Sequence, residues 1–76
     1  MYRIKDLRED GDFTQKEIAA VIHTTQQQYS KIETGKADIT GEKIILLAKF
    51  YHVSADYILG LSNDPRPSAN SYSKIR

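Results

Sequence analysis

Two helix starts stand almost back to back in this chain, and they constrain its fold more than any other feature. Thr14-Gln15-Lys16-Glu17 reads T-x-x-E, and Thr25-Gln26-Gln27-Gln28 reads T-x-x-Q. In such a capping box the Thr hydroxyl accepts from the backbone N–H three residues on, while the Glu or Gln side chain reaches back to the Thr N–H. Only two or three residues, around His23-Thr24, separate the helices that these boxes open. Helices joined so tightly must cross steeply, which is the geometry of a helix-turn-helix.

The remaining elements follow from periodicity and caps. A first helix over about residues 2–9 carries Ile4 and Leu7 on one face and stops at the turn cluster Asp10-Gly11-Asp12. The second turns Ile18, Ala19 and Ile22 inward; the third has Tyr29 and Ile32 as its apolar stripe and Gly35 as terminator. Thr40 precedes a fourth helix reaching about Tyr51, with Ile44, Ile45, Leu47 and Ala48 apolar, and Ser54 caps a short fifth holding Ile58 and Leu59 before Gly60. No stretch alternates with a strand period. His23 and His52 each sit just after a helix and shortly before the next cap. Such positions often need a left-handed backbone, which His tolerates better than most residues, so a structural role is expected for both rather than a pH switch or a ligand. From Ser62 the chain becomes rich in Pro, Ser and Asn. The expected organisation is an all-α, compact five-helix bundle over residues 1–61 and a flexible tail over 62–76. A partner-binding tip at Tyr72-Ser73-Lys74-Ile75-Arg76 is the alternative for its end.

Seventy-six residues make one domain near the lower limit for folding on a single apolar core. There is no Cys, so disulfides and thiolate metal sites are excluded, and neither His has a carboxylate at zinc-ligand spacing beside it. No cofactor is expected. No apolar run approaches membrane-spanning length, and Met1 leads straight into a charged segment, so neither a membrane span nor a signal peptide is expected and the location is read as cytoplasmic. Ser, His and Asp fall only where caps and turns would place them, so an enzyme is not expected either. Net charge is +1: residues 1–61 hold eight Lys/Arg and nine Asp/Glu (−1), and residues 62–76 hold three and one (+2). A nearly neutral core gives no simple electrostatic case for nucleic acid.

The glutamines give a different one. On the second helix of such a pair the N-terminal residues meet base edges in the major groove. Gln26, Gln27 and Gln28 hold those positions. A Gln amide places a donor and an acceptor side by side, matching N6 and N7 of adenine, with about 1–3 kcal/mol of discrimination for each good pair. Lys31, one turn beyond Gln27, has guanine or phosphate within its chemistry. Against this stands the plain reading that these are solvated polar residues and that Gln28 merely completes its capping box.

Here the chain resembles a family. The runs Ile4-Lys5-Asp6-Leu7-Arg8, Phe13-Thr14-Gln15-Lys16-Glu17-Ile18-Ala19 and Tyr29-Ser30-Lys31-Ile32-Glu33-Thr34-Gly35-Lys36 fit one register without gaps. The stretch from Ile44 to Ala48 and Val53-Ser54-Ala55-Asp56-Tyr57-Ile58-Leu59-Gly60-Leu61 continue it. Together they are similar to the helix-turn-helix domain of the lambdoid phage repressor and Cro type, the XRE family. The resemblance implies a lambda-repressor-like five-helix fold that binds double-stranded DNA. It implies that Gln26 and Gln27 read bases, with Gln28 and Lys31 at contact positions but of altered residue type. Gln15 matches a phosphate-contacting glutamine, and Thr14 and Thr25 add hydroxyls toward the backbone. Arg8 and Glu33 resemble a buried ion bridge between the first and third helices.

The departures also carry information. The family usually has Gly where His23 and His52 stand. Gly41 lies in the first turn of helix four and weakens it somewhat. The loop Lys36-Ala37-Asp38-Ile39-Thr40 has one lysine and one aspartate where relatives bring several cations, leaving Lys36, Lys43 and Lys16 as phosphate partners. Few phosphate contacts mean modest affinity per monomer and a shallow salt dependence, which argues for two copies binding together. The reading is therefore a homodimeric, sequence-specific repressor on a palindromic operator, with Tyr57 and Leu61 near the dimer contact. Its rivals are an antitoxin that binds a toxin protein and controls its own operon, and a protein-interaction module that has lost DNA binding.

Overall fold

A computed structural model of the protein describes residues 2–66. Five helices follow one another: α1 (Ile4–Asp10), α2 (Gln15–Val21), α3 (Gln26–Glu33), α4 (Gly41–Tyr51) and α5 (Ala55–Leu59). Among the described residues there is no strand, and no helix is long and apolar enough to cross a membrane. Four helices start where the sequence places them, because each start is a local chemical device. The hydroxyls of Thr14, Thr25, Thr40 and Ser54 accept from the N–H of Glu17, Gln28, Lys43 and Tyr57 at 3.0–3.3 Å. Each satisfies one of the orphan donors that open a helix.

Two local expectations need correction. The box at Thr14 is complete, with Glu17 Oε1 accepting from the Thr14 N–H at 2.8 Å. The one at Thr25 is only half formed: Thr25 caps Gln28, but the Gln28 side chain does not reach back. The first helix begins at Ile4 rather than Tyr2. Its start has no side-chain cap, and the Arg3 N–H instead donates to the Ile58 carbonyl of α5 at 2.7 Å. A contact from the far end of the domain, not local propensity, ends the helix there.

The core is one cluster drawn from all five helices, with Ile4, Ile18, Ile22, Tyr29, Leu47 and Ile58 as its largest fully buried side chains. Beside it Phe13, Phe50 and Tyr51 meet edge to face, with ring centroids 5.2–6.2 Å apart. The Phe13 ring lies against Gly11 so closely that a Cβ there would come within 2.6 Å of it. α2 packs chiefly on α3, and α4 on α5 and α2. The turn between α2 and α3 is built on His23, whose φ of 59° is left-handed, as is the 60° of His52 after α4. Both were expected there. Asp12, at φ 58°, is a third such residue that the composition of its turn concealed; Asp, with its short polar side chain, tolerates this region.

Residues 62–66 lie on the domain. Pro65 O accepts from the Ser54 N–H at 3.1 Å, and Arg3 donates to Ser62 O and Asn63 Oδ1 at 3.0 and 2.8 Å. The rest of the segment expected as a tail, with Tyr72 and its neighbours, lies outside the described residues.

Candidate nucleic-acid interface

The site is built on α3. In a helix, residues three and four apart share a face. Gln26 and Gln27 are therefore joined by Ser30 and Lys31, one turn on. These four side chains line an open depression, and Gln15, the first residue of α2, lines its other side. Gln26, Gln27 and Lys31 are exposed, and Gln15 and Ser30 half-buried. The surface thus offers amide donors and acceptors, one hydroxyl and one ammonium, an inventory suited to base edges and phosphate oxygens. Ser30 was missed by the sequence reading. Its signal was present in its spacing, four residues after Gln26 and three after Gln27.

The other expected contacts stand apart from this depression. Gln28 is exposed but does not line it. Thr14 and Thr25 hold exposed positions at the starts of α2 and α3, where each hydroxyl uses a lone pair as a cap and keeps its O–H free to donate. Lys16 and Lys36 are exposed. The loop bearing Lys36 is held by its backbone, with the N–H groups of Lys36 and Ala37 both donating to Lys31 O at 2.8 and 3.2 Å. Lys43 is engaged: its ammonium donates to Ile22 O at the end of α2, 2.9 Å away. A cation there complements the carbonyl end of a helix, so Lys43 also braces the α2–α3 turn.

Behind the depression lies an ionised cluster. Arg8 Nε donates to Glu33 Oε2 at 2.5 Å, and Arg8 Nη2 to Glu33 Oε1 at 3.1 Å. The Glu33 side chain is only 2% exposed. Arg8 Nη1 also donates to Phe13 O at 3.0 Å, fixing the approach to α2. The same Glu33 Oε1 accepts from Gln15 Nε2 at 3.1 Å. Burial opposes ionisation of Glu33, but its partners, Arg8 foremost, outweigh that and hold its carboxyl below the usual 4.5. The hydrogen bond to Glu33 raises Arg8 in turn. Beside this carboxylate Tyr29 is fully buried, and burial foremost, with Glu33 next to it, pushes its ionisation well above 10. Burial likewise pushes Tyr51 up to about 12. Among the described residues no group of His, Cys, Asp or Glu is gathered as a metal site.

The helix-turn-helix family matches residues 4–58, from the start of α1 into α5. An uncharacterized HTH-type transcriptional regulator of Bacillus subtilis (strain 168), YobD, is 35% identical over 65 residues, covering 86% of this chain and 58% of its own. The HTH-type transcriptional regulator ImmR of the same organism is 33% identical over 58 residues, covering 76% of this chain and 46% of its own. The chain thus spans about half the length of these curated relatives. No solved structure gives a significant match. With five helices in the expected order, a tight α2–α3 turn and a family match running through nearly all of them, the chain belongs to the XRE-type helix-turn-helix family.

Proposed function

We propose that this chain is a sequence-specific DNA-binding transcriptional regulator, acting on double-stranded DNA in the cytoplasm. The observation that carries the proposal is the single face on which Gln26, Gln27, Ser30 and Lys31 converge, with Gln15 brought beside them from α2. Inserted into the major groove, α3 sets the paired donor and acceptor of Gln26 and Gln27 against adenine edges, and Lys31 against guanine or a phosphate. Thr14, Gln15, Lys16, Thr25 and Lys36 serve the backbone, joined by Lys43 of α4, whose ammonium lies beside the end of α2. Gln28 lies at the edge of the contact. That two relatives are named as HTH-type transcriptional regulators supports the reading.

The regulator acts as a homodimer on a palindromic operator and represses by occupancy. With few cations on the DNA-facing side, one domain gains little from counterion release, and a second copy supplies the missing affinity. The two α3 helices then enter successive major grooves ~34 Å apart. Leu61, 76% exposed just beyond α5, and the half-buried Tyr57 mark the dimer face. Selection of bound sequences from a random duplex library at about 100 mM salt tests the whole reading. A palindrome with half-sites one helical turn apart and adenine opposite the glutamines is the expected result. Lack of enrichment, at low salt as well, would exclude it.

A further inference from the structure

We infer that Glu33 is a positioning residue for the DNA-facing surface, because its carboxylate holds the Gln15 side chain in one orientation; this rests on the function proposed above. Glu33 closes α3 and Gln15 opens α2, so their bond joins the two halves of the helix-turn-helix behind the depression that Gln15 lines. A carboxylate only accepts, so the Gln15 amide must turn its NH2 group to Glu33 Oε1. Its carbonyl oxygen and its second N–H remain for the groove side. Without that partner the amide is free to rotate, presenting either end.

The carboxylate is itself immobile. Two Arg8 nitrogens hold its two oxygens, and the third Arg8 nitrogen holds Phe13 O, two residues before Gln15. Arg8 therefore fixes the backbone that carries Gln15, and Glu33 fixes the side chain. Both charged groups are largely shielded, at 14% and 2% exposure, so solvent competes little for these bonds. A side chain ordered before binding does not lose its rotamer freedom on the DNA, which is worth about three- to tenfold in affinity.

The test is titration of a library-selected duplex with four variants of the full chain, each checked for folding by circular dichroism and urea unfolding. Gln15→Ala is expected to weaken binding about fivefold. Arg8→Met with Glu33→Leu replaces the ion pair by apolar groups; it is expected to stay folded and yet bind as weakly as Gln15→Ala. Adding Gln15→Ala to that pair should then change affinity less than twofold. Glu33→Gln keeps an acceptor for Gln15 but leaves Arg8 without its counter-charge. It should lose stability and keep affinity within about twofold. A purely structural Glu33 predicts the opposite ranking of the two Glu33 variants. The inference is overturned if Gln15→Ala has no effect, or if it costs the same factor with and without the ion pair. A library that yields no bound duplex removes the proposed function itself, and this inference with it.

Discussion

Arg3 and Tyr57 are locked together in two ways at once. The Arg3 guanidinium lies 4.3 Å from the centre of the Tyr57 ring and donates through Nη1 to the Tyr57 carbonyl at 2.5 Å. The same group reaches Ser62 O and Asn63 Oδ1. One side chain thus gathers the start of α1, the body of α5 and the segment after it. Arg3→Ala is expected to lower stability by about 2 kcal/mol, the scale of hydrogen bonds to a charged group. Arg3→Lys should recover little of it, since an ammonium lacks the planar fork. Urea unfolding of the three proteins measures both effects, and a lysine variant as stable as the parent would refute the account.

The ionised cluster predicts a stability profile with two flanks. Glu33 ionises more readily folded than unfolded, so the unfolded chain binds more protons in acid, and stability rises with pH there. Its contribution is complete above the ordinary 4.5 and disappears as pH falls through the lower, folded value. Tyr29 and Tyr51 act in the opposite direction. Their folded values are raised, so their contribution is whole below 10 and is lost as pH climbs beyond it. Chemical denaturation at a series of pH values should show both flanks. Tyr51→Phe should soften the alkaline one, and an unchanged slope would remove Tyr51 from it.

Left-handed His23 and His52 lend themselves to a comparison of alanine with glycine. An L-residue at φ near 60° bears a steric cost that glycine escapes. At each site the Ala variant should be less stable than the Gly variant by about 1 kcal/mol. In an ordinary helix the order is reversed, so the sign alone is decisive, and thermal melts of the four variants would read it.

On a selected operator the three glutamines should separate. Gln26→Ala and Gln27→Ala are each expected to flatten the preference at one base pair, by about 1–3 kcal/mol. Gln28 lies outside the depression, so Gln28→Ala should leave base preference almost intact. Repeating the library selection with each variant distinguishes them. A loss of preference confined to Gln28→Ala would place the reading face elsewhere on α3.

Much of this arrangement was legible because it is local chemistry. The caps at Thr14, Thr25, Thr40 and Ser54 depend on residues three apart, and both left-handed histidines betray themselves by standing between a helix and the next cap. Long-range contacts were harder to see. Whether α1 begins at Tyr2 or Ile4 is decided by the Ile58 carbonyl, and no window of sequence around Arg3 contains it. The Arg8–Glu33 bridge came only through likeness to a family, while the bond from Gln15 to the same carboxylate appears only once α2 and α3 are packed. Ser30 was hidden for a simpler reason: a small hydroxyl side chain inside a helix is ordinary, and only the packing of α2 sets Gln15 beside its face. The T-x-x-Q pattern also promised more than it delivers, because Gln28 has water as an equally good partner and Glu17, being charged, binds its cap more strongly.

The Arg3 clamp also sets an order of events. Its side-chain bonds span 54 to 60 positions of the chain, so they cannot form until α5 and the residues after it exist and have been brought back to the beginning. Contacts of such separation are costly to close and are made late. On the ribosome, at ~5–20 residues per second, α1 must wait several seconds for the partner that defines its first turn. The residues that open α1 are thus among the last of the domain to find their place.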